Sequence, residues 1–223
     1  MTQKFTILFD LDGTLVNTAP DLMNAHNHVM KKYGFKEKNL SDIKKLAGRG
    51  SKVMLTRSLS DVAKSNEFED KIDEMTNEFI NYYSNNISNE STLKKGLLNF
   101  LSWCKDKSIQ LGVCTNKQEY LSIDLLKKIK IYHFFEYVAG GDTFKHNKPD
   151  PRHLTDTIEI IGGSIKKTIM IGDSETDSNA SKAANIPFVL IDDGYTEKKS
   201  NEIFHDHLVK DYIGLEKIIE KYL

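Results

Sequence analysis

Apolar positions along this chain fall into short runs of strand length, separated by stretches in which they recur every three or four residues. The runs occupy residues 5–9, 110–114, 137–139, 168–171 and 188–191. Side chains alternate faces along a strand, so a nearly unbroken apolar run predicts a strand covered on both sides. Between and after the later runs, helical spacing joins Leu121, Leu125 and Ile129, then Leu154, Ile158 and Ile161, then Leu215, Ile218 and Tyr222. Apolar strands alternating with amphipathic helices predict an α/β fold, a parallel sheet with helices on both faces.

Residues 18–88 break that rhythm: helical stripes recur there and no strand pattern stands out. Leu22, Ala25, Val29 and Tyr33 share one face, after Thr18 as the expected N-cap and before Gly34 as the stop. Phe68, Ile72, Met75, Phe79 and Tyr82 form a second stripe. Shorter helices are expected at 41–47 and 51–62, on either side of Gly48-Arg49-Gly50. The polar run NNISNEST, residues 85–92, reads as a hinge or linker. The expected division is a core of residues 1–16 and 90–223 and an inserted α-helical cap of residues 17–89.

Composition narrows the function classes. The chain has 223 residues, 39% hydrophobic and 28% charged, in the ordinary globular range. A net charge of −1 gives no basic footprint for nucleic acid or an anionic membrane, and the pairs Lys127-Lys128 and Lys198-Lys199 read as solvated faces. The opening MTQKF has no signal-peptide pattern and no apolar run approaches a membrane span, so a soluble cytoplasmic protein is expected. Cys104 and Cys114 fall in a helix and a buried strand, as reduced core residues.

The chemistry gathers where strands end. In an open parallel sheet, ligands bind beyond the carboxyl ends of the strands. Those ends read Asp10-Leu11-Asp12-Gly13-Thr14, Thr115-Asn116-Lys117, the HNKPDP segment with Lys148, and GDSETD with Asp173 and Asp177. Asp-Gly alone is turn chemistry and Gly-Asp alone is an N-cap; four such ends in one order are something else. Like charges about 4 Å apart repel by about 4 kcal/mol at an effective dielectric near 20, so the acidic cluster needs protons or a cation. Oxygen ligands alone suit Mg²⁺ and argue against zinc. His26/His28 and His205/His207 are each spaced by two, which brings no two rings to one helical site, and they read as surface histidines. Thr115 and Asn116 offer anion donors at a strand-to-helix turn, and Lys148 offers a compact positive charge. A carboxylate nucleophile at Asp10, a hard metal and anion donors together describe phosphoryl transfer through an aspartyl-phosphate. Asp12, two residues on, leans to the same side if the strand geometry persists.

FDLDGTLVNT, CTNK, KPDP and GDSETD resemble, in order, the four motifs of the haloacid dehalogenase-like phosphatases. GRGSKVML, GGDTF…NKPDP and GDSETDSNASKAANIPFVLIDDGY look like bacterial phosphoglycolate phosphatases, so the resemblance covers nearly the whole chain. It implies a Rossmann-like sheet of strand order 3-2-1-4-5 with a helical cap inserted after the first motif. It implies Asp10 as nucleophile and Asp12 as general acid/base. Mg²⁺ would be held by Asp10, the backbone carbonyl of Asp12, and Asp173. Asp177 would act through metal-bound water or by orienting Lys148, while Thr115 and Asn116 bind phosphoryl oxygens and Lys148 offsets charge. Asn17 stands where many relatives have Asp, at the hinge into the cap. The superfamily's dehalogenases lack an equivalent of Asp12, and its presence favours a phosphate ester.

The expected substrate is a small phosphorylated metabolite, first of all 2-phosphoglycolate, with Arg49 between its two glycines as the cap residue that grips the carboxylate. A β-phosphoglucomutase-like mutase, a pyrophosphatase and a non-catalytic phosphate-binding module are the alternatives. The chain is expected to act as a monomer or homodimer, with neither nucleic acid nor membrane as partner.

Overall fold

Strand β1, Thr6–Phe9, is buried along its whole length, with a parallel neighbour on each edge and a hydrophobic core against each face. The structure is a computed structural model that describes residues 4–60 and 68–223. In chain order its strands and α-helices are β1, β2 (Val16–Asn17), α1 (Ala19–Lys32), α2 (Ile43–Leu46), α3 (Ser51–Ser60), α4 (Ile72–Asn85), β3 (Thr92–Leu93), α5 (Leu97–Asp106), β4 (Gln110–Cys114), α6 (Glu119–Lys128), β5 (Tyr137–Ala139), α7 (Arg152–Ile161), β6 (Thr168–Gly172), α8 (Glu175–Ala184), β7 (Phe188–Ile191), β8 (His207–Val209) and α9 (Glu216–Ile219). The main sheet runs β5-β4-β1-β6-β7-β8 and every pairing in it is parallel. Counting only its own strands in chain order, that is 3-2-1-4-5-6. The expected order is present, with β8 added at one edge. The sequence pattern missed β8 because three half-exposed residues on an edge carry no apolar run.

Alternation along β1 sends its side chains to two separate cores. Ile7 and Phe9 join Phe100 and Leu101 of α5, Leu121 and Leu125 of α6, and Ile219 of α9. Leu8 joins Leu154 and Ile158 of α7, Ala180 of α8, and Met170 and Phe188 of the neighbouring strands. The first core runs on into the helical segment through Leu11, Leu15 and Val16 to Leu22, Met54 and Phe79. Burial leaves Cys104 and Cys114 as free thiols and pushes the Cys114 thiol up to about 12. Among the described residues, no helix is long and apolar enough to cross a membrane.

Helices α1 to α4 lie between β1 and α5, with α4 packed on both α1 and α3. The chain enters and leaves this helical segment through a two-residue antiparallel ribbon, β2 with β3, too short to show in the sequence. The predicted helix at 51–62 is α3 as far as Ser60, and its last two residues lie outside the described residues. The segment at 41–47 is a 3₁₀ turn over Leu40–Asp42 followed by α2. The C-terminal stripe contains only one helical turn, α9.

Two expectations change. Thr18 does precede α1, but its hydroxyl makes no cap bond and donates instead to Asp12 Oδ1 at 2.8 Å. His26 is not a surface residue. It is fully buried in the helical segment, with Nε2 2.8 Å from Ser58 Oγ and Nδ1 2.9 Å from Asn27 Oδ1, and burial pulls its pKa down. His28, His205 and His207 are partly exposed.

The polar run 85–92 is tethered. Asp21, buried in the first turn of α1, accepts Glu90 N at 3.0 Å, Ser91 N at 2.8 Å and Ser91 Oγ at 2.6 Å. One carboxylate thereby ties the way into the helical segment to the way out. Asp21→Ala strands these donors and should destabilise the protein by about 2 kcal/mol. Urea denaturation measures the loss, and a midpoint equal to wild type would show that the tether contributes nothing.

Candidate active site

The β1 ladder continues one residue past the strand, with Asp10 N donating to Ile171 O at 2.9 Å. That bond holds Asp10 at the carboxyl end of the sheet, where Thr115, Lys148 and Asp173 also lie along one cavity of about 410 Å³. Lys148 sits in the turn before α7 and reaches inward. Its Nζ is 2.7 Å from Asp10 Oδ1 and 2.6 Å from Asp177 Oδ1, and all three side chains are buried. Burial alone would lower the lysine's pKa, but Asp10 and Asp177 outweigh it and raise it. Asp177 is fully committed: its Oδ2 accepts Ser174 N at 3.1 Å and Ser174 Oγ at 2.7 Å, closing the capping box of α8.

Asp173 is gripped from several sides. Its Oδ1 accepts Thr14 Oγ1 at 3.0 Å and its Oδ2 accepts Tyr195 N at 2.6 Å. Gly13, at φ +89°, passes so close that a Cβ there would overlap Asp173 Oδ2, and a Cβ on Gly194 would overlap the Asp173 side chain from another side. Burial, then Asp10 and Asp177, push the Asp173 carboxyl well up. Burial also raises Asp10 to about 6, against the opposing pull of Lys148.

Asp10, Asp173 and Asp177 bring carboxylate oxygens within 4.8 Å of one another. Three carboxylates against the one ammonium of Lys148 leave two negative charges, which protons or a divalent cation must balance. The donors are hard oxygens, as Mg²⁺ prefers. Asp177 is engaged by its cap and by Lys148, and Asp173 by Thr14 and Tyr195, so an ion here would use the lone pairs those bonds leave, together with Asp10.

Asp12 lines the same cavity but answers to a different lysine. Lys117 Nζ lies 3.0 Å from Asp12 Oδ1 and 2.9 Å from Oδ2, and donates to Tyr83 Oη of α4 at 2.8 Å, over whose ring it also sits. Lys117 and Tyr83 carry no role in the sequence reading. The signal for Lys117 was its place beside Asn116 in the strand-end turn, whereas nothing local to Tyr83 marks it. Tyr195 was also missed. Its Oη donates to Asn17 Oδ1 at 2.8 Å and accepts Ala19 N at 2.8 Å, so Asn17 serves the entrance to α1.

Thr115 is buried on the cavity wall, its Oγ1 accepting Lys117 N at 3.3 Å. Asn116 is spent differently from the expectation. Its Nδ2 donates to Lys148 O at 2.9 Å and to Gly48 O at 3.3 Å, tying the Lys148 turn and the GRG loop to the end of β4. Its Oδ1 is buried without a partner among the described residues. The carboxamide works as a structural tie, and the expectation that Asn116 binds a phosphoryl oxygen then rests on its backbone N–H. Arg49 reaches the cavity from the helical side, half exposed, with its guanidinium 3.9 Å from Glu175.

Residues 7–191 match the family described as haloacid dehalogenase-like hydrolase. A phosphoglycolate phosphatase of Mesorhizobium japonicum is 36% identical over 196 residues, covering 88% of this chain and 86% of the relative. One from Agrobacterium fabrum is 36% identical over 219 residues, covering 96% and 94%. Among solved structures, that of a predicted phosphoglycolate phosphatase from Haemophilus somnus superposes with a TM-score of 0.91 at 29% identity, covering 98% of this chain and 99% of the other.

The packing around Asp173 makes a direct prediction. Gly13→Ala forces a side chain into a positive-φ position already filled by the carboxylate, and should cost about 1–3 kcal/mol. Urea denaturation of the variant measures it, and unchanged stability would mean that the turn relaxes freely.

Proposed function

The chain belongs to the haloacid dehalogenase-like hydrolase family and is a phosphatase, and from that premise we propose that it is a Mg²⁺-dependent phosphomonoesterase working through an aspartyl-phosphate on Asp10, with 2-phosphoglycolate as substrate. The observation that carries the reading is the buried Asp10–Lys148–Asp177 chain, which aims a carboxylate and an ammonium at one point of the cavity. Lys148 is held by Asp177, so its charge is in place before a phosphate arrives.

In this reading an Asp10 oxygen bonds to phosphorus as the ester P–O bond breaks, and Asp12 gives its proton to the departing alkoxide. Asp12 then takes a proton from the water that attacks phosphorus, which frees phosphate and restores Asp10. Bidentate contact with Lys117 and the Thr18 hydroxyl hold the Asp12 side chain in one orientation for both proton transfers. Thr115 supplies a hydroxyl to the phosphoryl oxygens, and Lys148 offsets their charge. Mg²⁺ held by Asp10, Asp173 and the Asp12 carbonyl would supply charge neutralisation at the phosphoryl group.

Residues 17–89 act as a cap and carry selectivity, because the helical segment forms the cavity wall opposite the sheet. Arg49 is the residue proposed to receive the substrate carboxylate. Its long contact with Glu175 on an exposed rim leaves the guanidinium free to turn inward.

Three measurements test this. With Mg²⁺ and no bisphosphate primer, wild type should release phosphate from 2-phosphoglycolate ahead of a panel of phosphorylated metabolites, and Asp10→Asn should lose about 1,000-fold or more. Equal activity in the variant would remove the nucleophile assignment. Arg49→Ala should raise KM for 2-phosphoglycolate about tenfold, the worth of a charge-assisted hydrogen bond, with a smaller change for a phosphate ester lacking a carboxylate. An unchanged KM would take Arg49 out of the site.

The third is proton release. Asp10, ordinarily at 3.8, stands at about 6, so near pH 6 roughly half the molecules carry its proton. A cation favours the ionised carboxylate, so Mg²⁺ binding at pH 6 should expel protons. Calorimetry in two buffers of different ionisation enthalpy detects this, and identical heats in both would show that the acidic cluster is not the metal site.

A further inference from the structure

His153 is fully buried in the first turns of α7, outside the residues given a role so far. Its ring nitrogens face two backbone groups of opposite kind. Lys148 N, which can only donate, lies 3.2 Å from Nδ1. Gly140 O, which can only accept, lies 3.1 Å from Nε2. The ring is therefore neutral, with its proton on Nε2. Burial and the nearby Lys148 hold its pKa down at about 4, which agrees with that assignment. The ring cannot tilt easily: Phe144 meets it edge-on at 5.8 Å, and its own carbonyl accepts Thr157 Oγ1 at 2.6 Å.

Lys148 lies in a turn, so no strand or helix partner fixes its peptide groups. Both are held by side chains instead, the N–H by His153 and the C=O by Asn116. Its ammonium must meet Asp10 and Asp177 at hydrogen-bond distance at the end of a flexible four-carbon stem. A buried charge with so little tolerance needs its backbone anchored.

We propose that His153 is the positioning residue of Lys148, its Nδ1 acting as a fixed acceptor that holds the lysine backbone while Nε2–H anchors the ring to the end of β5. The proposal rests on the reading that Lys148 serves the phosphoryl group at Asp10. The bond to Gly140 is the strut and the bond to Lys148 is the function.

Three substitutions separate the two bonds. His153→Asn keeps an acceptor near the Nδ1 position, His153→Gln keeps a donor near the Nε2 position, and His153→Leu keeps neither. Each protein is assayed for phosphate release with Mg²⁺ and for urea stability. The Leu and Gln variants should lose about 100-fold in kcat, the scale of an ångström-sized misplacement. The Asn variant should recover about tenfold over Leu. A filler role would make kcat follow stability alone, with Gln equal to or better than Asn, and that result overturns the proposal, as does a Leu variant with wild-type kcat. Nitrogen-15 NMR of the imidazole supplies a second readout that needs no variant at this position. It should show the Nε2–H tautomer in wild type and in Asp10→Asn, and an Nδ1–H ring would overturn the proposal even where the substitutions fail to fold. Full activity in Asp10→Asn would instead remove the nucleophile assignment on which the proposal rests, and leave the tautomer result to judge His153 by itself.

Discussion

A lysine ammonium buried between two carboxylates is the constraint around which this molecule is organised. Lys148 meets Asp10 from the end of β1 and Asp177 from the first turns of α8, so three chain segments far apart in sequence must converge on one nitrogen. Leaving any one of these charges without its partner in the interior costs about 3–5 kcal/mol. The sheet order supplies the convergence. β1 lies at the centre with β6, which leads into α8, beside it, and β4 and β5 follow on its other side, so the loop after β5 needs only to reach across. Small residues do the rest, since Gly13 and Gly194 let two backbone segments close on Asp173 without a side chain between.

The acidic residues are divided between two ammoniums. Lys148 holds Asp10 with Asp177, while Lys117 holds Asp12. This separates two carboxylates that stand two residues apart in sequence and gives each its own ammonium. The second pair is also the link to the cap. Lys117 donates to Tyr83 of α4 and Asp12 accepts from Thr18 at the entrance of α1, so both members of the pair are hydrogen-bonded to residues of the helical segment or its entrance. Arg49 and the GRG loop face the cavity from the same segment, with Gly48 O tied to Asn116 of the core. The helical segment and the sheet end thus share one cavity and several hydrogen bonds.

Much of this was legible along the chain. Five apolar runs marked five of the six strands of the main sheet because residues buried on both faces have no reason to be polar. The stripes of 18–88 marked the helices of the cap. Asp10, Asp12, Thr115, Lys148, Asp173 and Asp177 stood out because each interrupts or follows an apolar run with a group that is costly to bury without a partner. β8 and the β2–β3 ribbon were not legible. Two or three half-exposed residues pair through backbone groups, and backbone pairing leaves no side-chain pattern. His26 was misplaced because spacing along one helix says nothing of Ser58 on another.

The sequence alone determined the layered α/β design, the cap between the first two sheet strands, and a set of acidic and basic groups suited to phosphoryl chemistry. These follow from local periodicity and from residue types at strand ends, where the number of possible neighbours is small. Only the tertiary structure decided how those groups are paired. It gave Lys148 to Asp10 and Asp177, brought in Lys117 for Asp12, turned the Asn116 amide into a tie, and set a buried imidazole behind Lys148. Pairing depends on contacts of 2.6–3.2 Å, most of them between segments tens of residues apart, and one-dimensional spacing carries no information at that range.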